Sequence, residues 1–221
     1  MTKDTTVGLG WRVHSWWAVV VAVSGPTASP VIVHRERVTL LDDESVREPY
    51  HAAAAVPLDE APALIGSVER AAAAAAVAAI RGFVSSLGPV AAVGVVAGDR
   101  RLPTELPRRL ASHALLHASE RDLYEQAIIQ GATRAGLSVT TIPATGKLFD
   151  DASRLLGVAL EPSLAALGKS IGPPWQKDHK EATAAALVAL KAVARVGESV
   201  GTAPTGRRAV EHPGPLGEAC P

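Results

Sequence analysis

The run Val90-Ala91-Ala92-Val93-Gly94-Val95-Val96-Ala97 constrains this chain more than any other segment. Eight consecutive residues without a charge or a polar side chain have no face suited to water. Such a strand belongs inside a parallel sheet with helices over both faces. The flanks supply those helices. Upstream, an apolar pattern runs from Leu64 and Ile65 through Val68 and Ala71 to Ile80, Phe83 and Val84, and Gly88-Pro89 stops it. Asp59 is placed to cap this helix, which tolerates Pro62 in its first turn. Downstream, the pattern predicts a long helix from about Arg109 to Ala135, closed by Gly136. A further strand, Leu137 to Ile142, ends at Pro143.

The first forty residues read as antiparallel β. Thr5 to Gly10 is a short strand, and Ser15 to Val23 is β-branched and aromatic, hence buried. After the turn Ser24 to Pro30, two apolar triplets surround His34-Arg35-Glu36-Arg37. That charged centre suits a strand near an edge, where charge discourages edge-to-edge pairing. Asp42 to Pro57 reads as an acidic loop that runs through Tyr50, His51 and four alanines. Shorter helices are expected around Leu148 to Leu156 and Pro162 to Lys169, then a rigid turn at Gly172-Pro173-Pro174-Trp175. The last helix opens at Asp178, with Ala182, Ala185, Ala186, Ala189 and Leu190 on its buried side. Residues 1–197 form one domain in this reading. The Gly/Pro/Thr/Arg-rich residues 198–221 form a flexible tail.

Composition removes several function classes. The 22 Lys+Arg balance 22 Asp+Glu, so a nucleic-acid contact must come from a local patch. Cys220 is the single cysteine, which excludes an internal disulfide and a thiolate zinc site. There is no GxxxxGK[ST] or GxSxG string, and Gly8-Leu9-Gly10 lacks the third glycine of a dinucleotide loop. Trp16 to Val23 falls short of the roughly 20 residues of a spanning helix. With no leader pattern, a cytoplasmic protein without a membrane partner is expected.

The order β-β-β-α-β-α-β-α resembles the ribonuclease H-like fold: a mixed five-stranded sheet, first three strands antiparallel, flanked by helices. Three strings resemble the RuvC-type Holliday-junction resolvase branch. They are Val7 to Val20, Ala135 to Pro143 with Lys147, and Asp178 to Leu187. In that branch, carboxylates from the first strand, the fourth-strand end and the last helix hold two Mg²⁺ or Mn²⁺ ions that clamp a phosphodiester. Here Gly10 stands where the first aspartate is expected, and Val95-Val96-Ala97 where a glutamate is. Asp99 lies just beyond, and the last-helix pair Asp178 and Glu181 is intact. The resemblance therefore implies Asp99, Asp178 and Glu181 as catalytic residues, with Asp178 and Glu181 as metal ligands. Trp11, Arg12 and Lys180 are the nucleic-acid contacts it leaves. The implied partner is a branched or structured nucleic acid, and a homodimer is compatible with the family.

Each candidate has a plainer reading. Asp178 and Glu181 are acids favoured at a helix start, with Asp178 as cap. Asp99 is a solvated turn residue. His113, His117 and Glu120 fall at i, i+4 and i+7, which suits either a shared metal or a polar helix face. Trp11, Arg12, His14, Trp16 and Trp17 gather into one hairpin, a stacking surface for bases if exposed. The function expected is a divergent RuvC-like domain that binds nucleic acid with a degenerate nuclease site. One alternative is an active Mg-dependent structure-specific nuclease built from Asp99, Glu120, Asp178 and Glu181. The other is a protein-interaction module. Carboxylates sharing two ions must lie within about 4–6 Å of one another, which separates the first two.

Overall fold

The computed structural model describes residues 6–99 and 101–201. Strands β1 (Val7–Val13), β2 (Trp17–Ser24) and β3 (Val31–Thr39) form an antiparallel meander. Strand β4 (Val90–Ala97) pairs parallel with β1, and β5 (Ser138–Pro143) pairs parallel with β4. The sheet order is β3-β2-β1-β4-β5. This is the mixed five-stranded sheet of the ribonuclease H-like fold. Strand β3 is continuous and lies at the edge, where its charged centre meets water. The apolar run Val90–Ala97 is interior, as its lack of a polar face requires.

Helices cover both faces. On one lie α1 (Pro49–Ala54), α2 (Ala61–Leu87) and α4 (His113–Arg134), which follows the single turn α3 (Leu106–Arg109). On the other lie α5 (Leu148–Leu156), α6 (Leu160–Ile171) and α7 (Lys177–Gly201). The period of two in β1 sends Leu9, Trp11 and Val13 into the α2/α4 core. It turns Gly8 and Gly10 toward α7. By length and composition α2 is able to cross a membrane, with a mean hydropathy of 1.6. In the fold its stripe Ile65, Val68, Ala72, Ala76, Ile80 and Phe83 packs on the core.

The structure departs from the sequence reading in four places. The acidic loop 42–57 contains a 3-10 turn, Glu44–Val46, and helix α1. Asp43 accepts the Ser45 N–H at 3.0 Å to cap the turn, and burial of Tyr50 and Ala53 stabilises α1. Helix α2 starts at Ala61 with Glu60 at its N-cap, so Asp59 does not cap it. The long helix starts at His113 rather than Arg109, because Ser112 takes the N-cap position and accepts from Leu115 N. Helix α7 runs to Gly201, and the tail expected after residue 197 falls on 202–221, outside the described residues.

Candidate functional site

Three of the sequence-derived candidates, Arg12, Asp178 and Glu181, meet where the end of β1 faces the start of α7. Ala182, Ala185 and Ala186 present no bulk, and Gly10 pairs with Gly94 across β1 and β4. Small residues on both surfaces let the α7 backbone settle onto the sheet. A Cβ on Gly10 would overlap the Ala182 carbonyl oxygen and lie 2.8 Å from Ala186 N. A Cβ on Gly94 would overlap the Ala185 carbonyl. The position of the expected first-strand carboxylate is thus filled by helix backbone.

Asp178 and Glu181, at the start of the last helix, are held by an arginine of β1 and a histidine just beyond it. Glu181 is buried, and its Oε2 forms an ion pair with Arg12 Nε at 2.7 Å. Its Oε1 lies 3.6 Å from Lys177 Nζ. His14 Nε2 donates to Asp178 Oδ2 at 3.1 Å. Burial lowers the His14 pKa; Asp178 opposes the shift and Arg12 adds to it. Helix α7 starts at Lys177, so Asp178 lies inside the first turn rather than capping it.

Asp99 is exposed in the loop beyond β4. Glu120 lies across the sheet, on α4, where its carboxylate meets His51 and His117. The four acids Asp99, Glu120, Asp178 and Glu181 are therefore not gathered into one cluster. Nor do the residues at the junction fit a two-magnesium site. Gly10 offers no side-chain oxygen and no room for a side chain, and Glu181 already has the Arg12 guanidinium beside it.

Trp11 corrects the expectation of an exposed stacking ring. It is fully buried and meets Phe83 edge-on at 5.8 Å, so no base can reach it. The other hairpin rings are half-buried and already covered. His14 stacks on Trp17 at 4.2 Å, Arg37 lies 3.9 Å over Trp17, and Arg47 lies 4.0 Å over Trp16. Lys180 is half-buried and lines a cleft with Lys177, Glu161, Phe149 and Leu164. Trp175, which follows the Gly172-Pro173-Pro174 turn, packs on α6 at Gly168, with Nε1 donating to Leu164 O at 2.9 Å.

Sequence reasoning missed Glu125. This buried α4 residue accepts the Gly98 N–H at 2.8 Å, just past the end of β4. Burial pushes its carboxyl up to about 7, against the Gly98 bond and the charges of Arg121 and Arg12. It also missed His51, and the part played by Arg12 and His14. Alternation carried the latter signal: Gly8, Gly10, Arg12 and His14 share a parity opposite to Trp11.

Two of the solved structures similar to this chain are RuvC structures. One is Thermus thermophilus RuvC in complex with Holliday junction substrate, at 16% identity and a TM-score of 0.49, covering 87% of this chain and 96% of that one. The other is a Thermus thermophilus RuvC structure at 18% identity and a TM-score of 0.48, covering 87% and 97%. No protein-family model and no curated protein matches the chain.

Proposed function

We propose that this chain is a divergent RuvC-like domain that binds nucleic acid and does not cleave it by two-metal chemistry. One observation carries the loss of cleavage: the α7 backbone lies where a Gly10 side chain would project. Metal-dependent phosphodiester cleavage needs carboxylate oxygens converging on that point. Here the remaining acids face Arg12 and His14 instead.

The binding half rests on the three strings that resemble the RuvC branch and on local charge. Lys177 is exposed, Lys180 lines the adjoining cleft, and both sit in the first turn of α7. Ammonium groups beside a helix N-terminus suit phosphate oxygens. Such contacts position a backbone without reading its bases, which fits structure-dependent rather than sequence-dependent recognition.

The test uses fluorescence anisotropy and a cleavage gel with four-way junction, duplex and single-stranded DNA, in Mg²⁺ or Mn²⁺. We expect salt-sensitive binding that weakens in Lys177→Ala/Lys180→Ala, with no metal-dependent product. Structure-specific cleavage abolished by Asp178→Asn or Glu181→Gln would instead establish an active nuclease. Neither binding nor cleavage would leave the protein-interaction reading.

A further inference from the structure

On the opposite face of the sheet, three histidines meet. His51 comes from α1, and His113 and His117 stand one turn apart at the start of α4. Their ring centroids lie 4.4, 4.6 and 5.1 Å apart. One ligand nitrogen from each lies within 4.8 Å of the other two. Beneath them sits Glu120, fully buried. Its Oε1 accepts from His51 Nδ1 at 2.7 Å and from the His51 backbone N–H at 3.2 Å. Its Oε2 lies 3.6 Å from His117 Nδ1 and makes no hydrogen bond among the described residues.

We propose that His51, His113 and His117 bind a first-row divalent transition-metal ion of the zinc class, with Glu120 orienting the ligands. The inference does not depend on the nucleic-acid reading, because it uses neither α7 nor the lysines. Three points carry it. The first is donor chemistry: imidazoles select zinc, copper, nickel or cobalt, whereas magnesium prefers hard oxygens. The second is the tautomer. A carboxylate only accepts, so Nδ1 of His51 donates to Glu120, which leaves Nε2 as the nitrogen that turns its lone pair to a metal. This carboxylate–histidine arrangement is the usual support of a histidine ligand. The third is the buried Oε2 without a hydrogen bond, aimed at a second imidazole of the same set. That oxygen orients His117 once the ring turns slightly.

Bonds of about 2.0–2.1 Å place tetrahedral ligands roughly 3.3 Å apart, so the set closes by at most about 1.5 Å. His113 and His117 are exposed and free to make that adjustment by rotamer changes. Three protein ligands leave a fourth position for water. Binding also ties the six-residue helix α1 to the start of α4.

The test uses the full chain without an affinity tag, stripped by chelator and titrated with Zn²⁺ by calorimetry and with Co²⁺ by visible absorption. We expect one equivalent, an intense tetrahedral Co²⁺ band, and no displacement by millimolar Mg²⁺. His113→Gln/His117→Gln should abolish the band while the apo-protein melts at an unchanged temperature, since both side chains are exposed. Glu120→Gln should weaken binding about 10–100-fold. If it fails to fold, the double histidine variant decides alone. No saturable one-to-one binding, or binding unchanged in the double variant, would overturn the proposal.

Discussion

The two faces of the sheet handle buried carboxylates in opposite ways. On the α7 face, Glu181 meets a guanidinium at 2.7 Å and Asp178 an imidazole at 3.1 Å. On the α4 face, Glu120 meets two imidazoles and one backbone N–H, and Glu125 accepts one backbone N–H. Charge is therefore neutralised internally on the face where the resemblance locates chemistry. Acceptor capacity is left over on the face where it does not.

The packing of α7 is the sharpest way to break this comparison. Gly10→Ala forces a Cβ into the Ala182 carbonyl, a backbone atom that cannot rotate away. Overpacking against backbone should cost about 4 kcal/mol or more, read as a fall in urea midpoint or as failure to fold. Gly82→Ala is the control: nothing lies within 4 Å of its Cβ position, and α2 should gain about 0.5–1 kcal/mol. A Gly10→Ala protein as stable as the parent would show that α7 does not sit on β1 as described. Room for a metal cluster would then reopen.

The next effect is electrostatic. Arg12→Met leaves Glu181 buried beside only the exposed Lys177. Removing one partner of a buried pair costs about 3–5 kcal/mol, and the surviving lysine argues for the lower end. Adding Glu181→Gln should restore much of that loss, because the orphaned charge goes with it. A double-mutant cycle by chemical denaturation measures the coupling. No coupling would mean that the α7 face is not neutralised by Arg12.

Glu125 makes the opposite prediction on its own face. Its folded-state pKa, about 7, lies above its ordinary value of 4.5. The folded chain therefore holds a proton that the unfolded chain releases between those values. Stability should fall as pH rises from about 4.5 to 7, then level off. Glu125→Gln keeps an acceptor for the Gly98 N–H and removes the titration. At pH 8 the variant should be more stable by on the order of 2–3 kcal/mol, and its stability profile should flatten across that window. An unchanged profile would mean that Glu125 is not the buried acid.

These contrasts bear on what the sequence discloses. The topology was legible because apolar runs and turn residues are local: Val90 to Ala97 has no polar face, and the centre of β3 has too many charges for an interior strand. The candidate site was legible only in part. Asp178 and Glu181 stand out by spacing, yet their partners come from 164 and 169 positions away, at His14 and Arg12. Trp11 reads as a turn residue until register puts it in the core. His51 lay in a stretch rich in acids and alanines that reads as loop. Glu120 occupies the apolar spacing of α4, between Leu116, Leu123 and Tyr124. A charged residue at such a position is the signal that a buried polar partner exists, though not which one.

The smallest effect concerns His14, which decides how complete the neutralisation of the α7 face is. Burial lowers its pKa, and Asp178 only partly offsets that, with Arg12 nearby opposing a second positive charge. At neutral pH the His14–Asp178 contact is therefore a hydrogen bond from a neutral imidazole rather than a full ion pair. For a histidine with a lowered pKa, the stabilisation is present above the unfolded value of 6.5 and is lost as pH falls through the folded value. An NMR titration should put the His14 midpoint below 6.5, and Asp178→Asn should move it lower still, since it removes the charge that favours imidazolium. A midpoint above 6.5 that drops in Asp178→Asn would mean that the ion pair dominates, and Asp178 and Glu181 would then both be charge-paired. A midpoint insensitive to Asp178→Asn would separate the two residues altogether and leave Asp178 as the acid on this face free to meet a ligand.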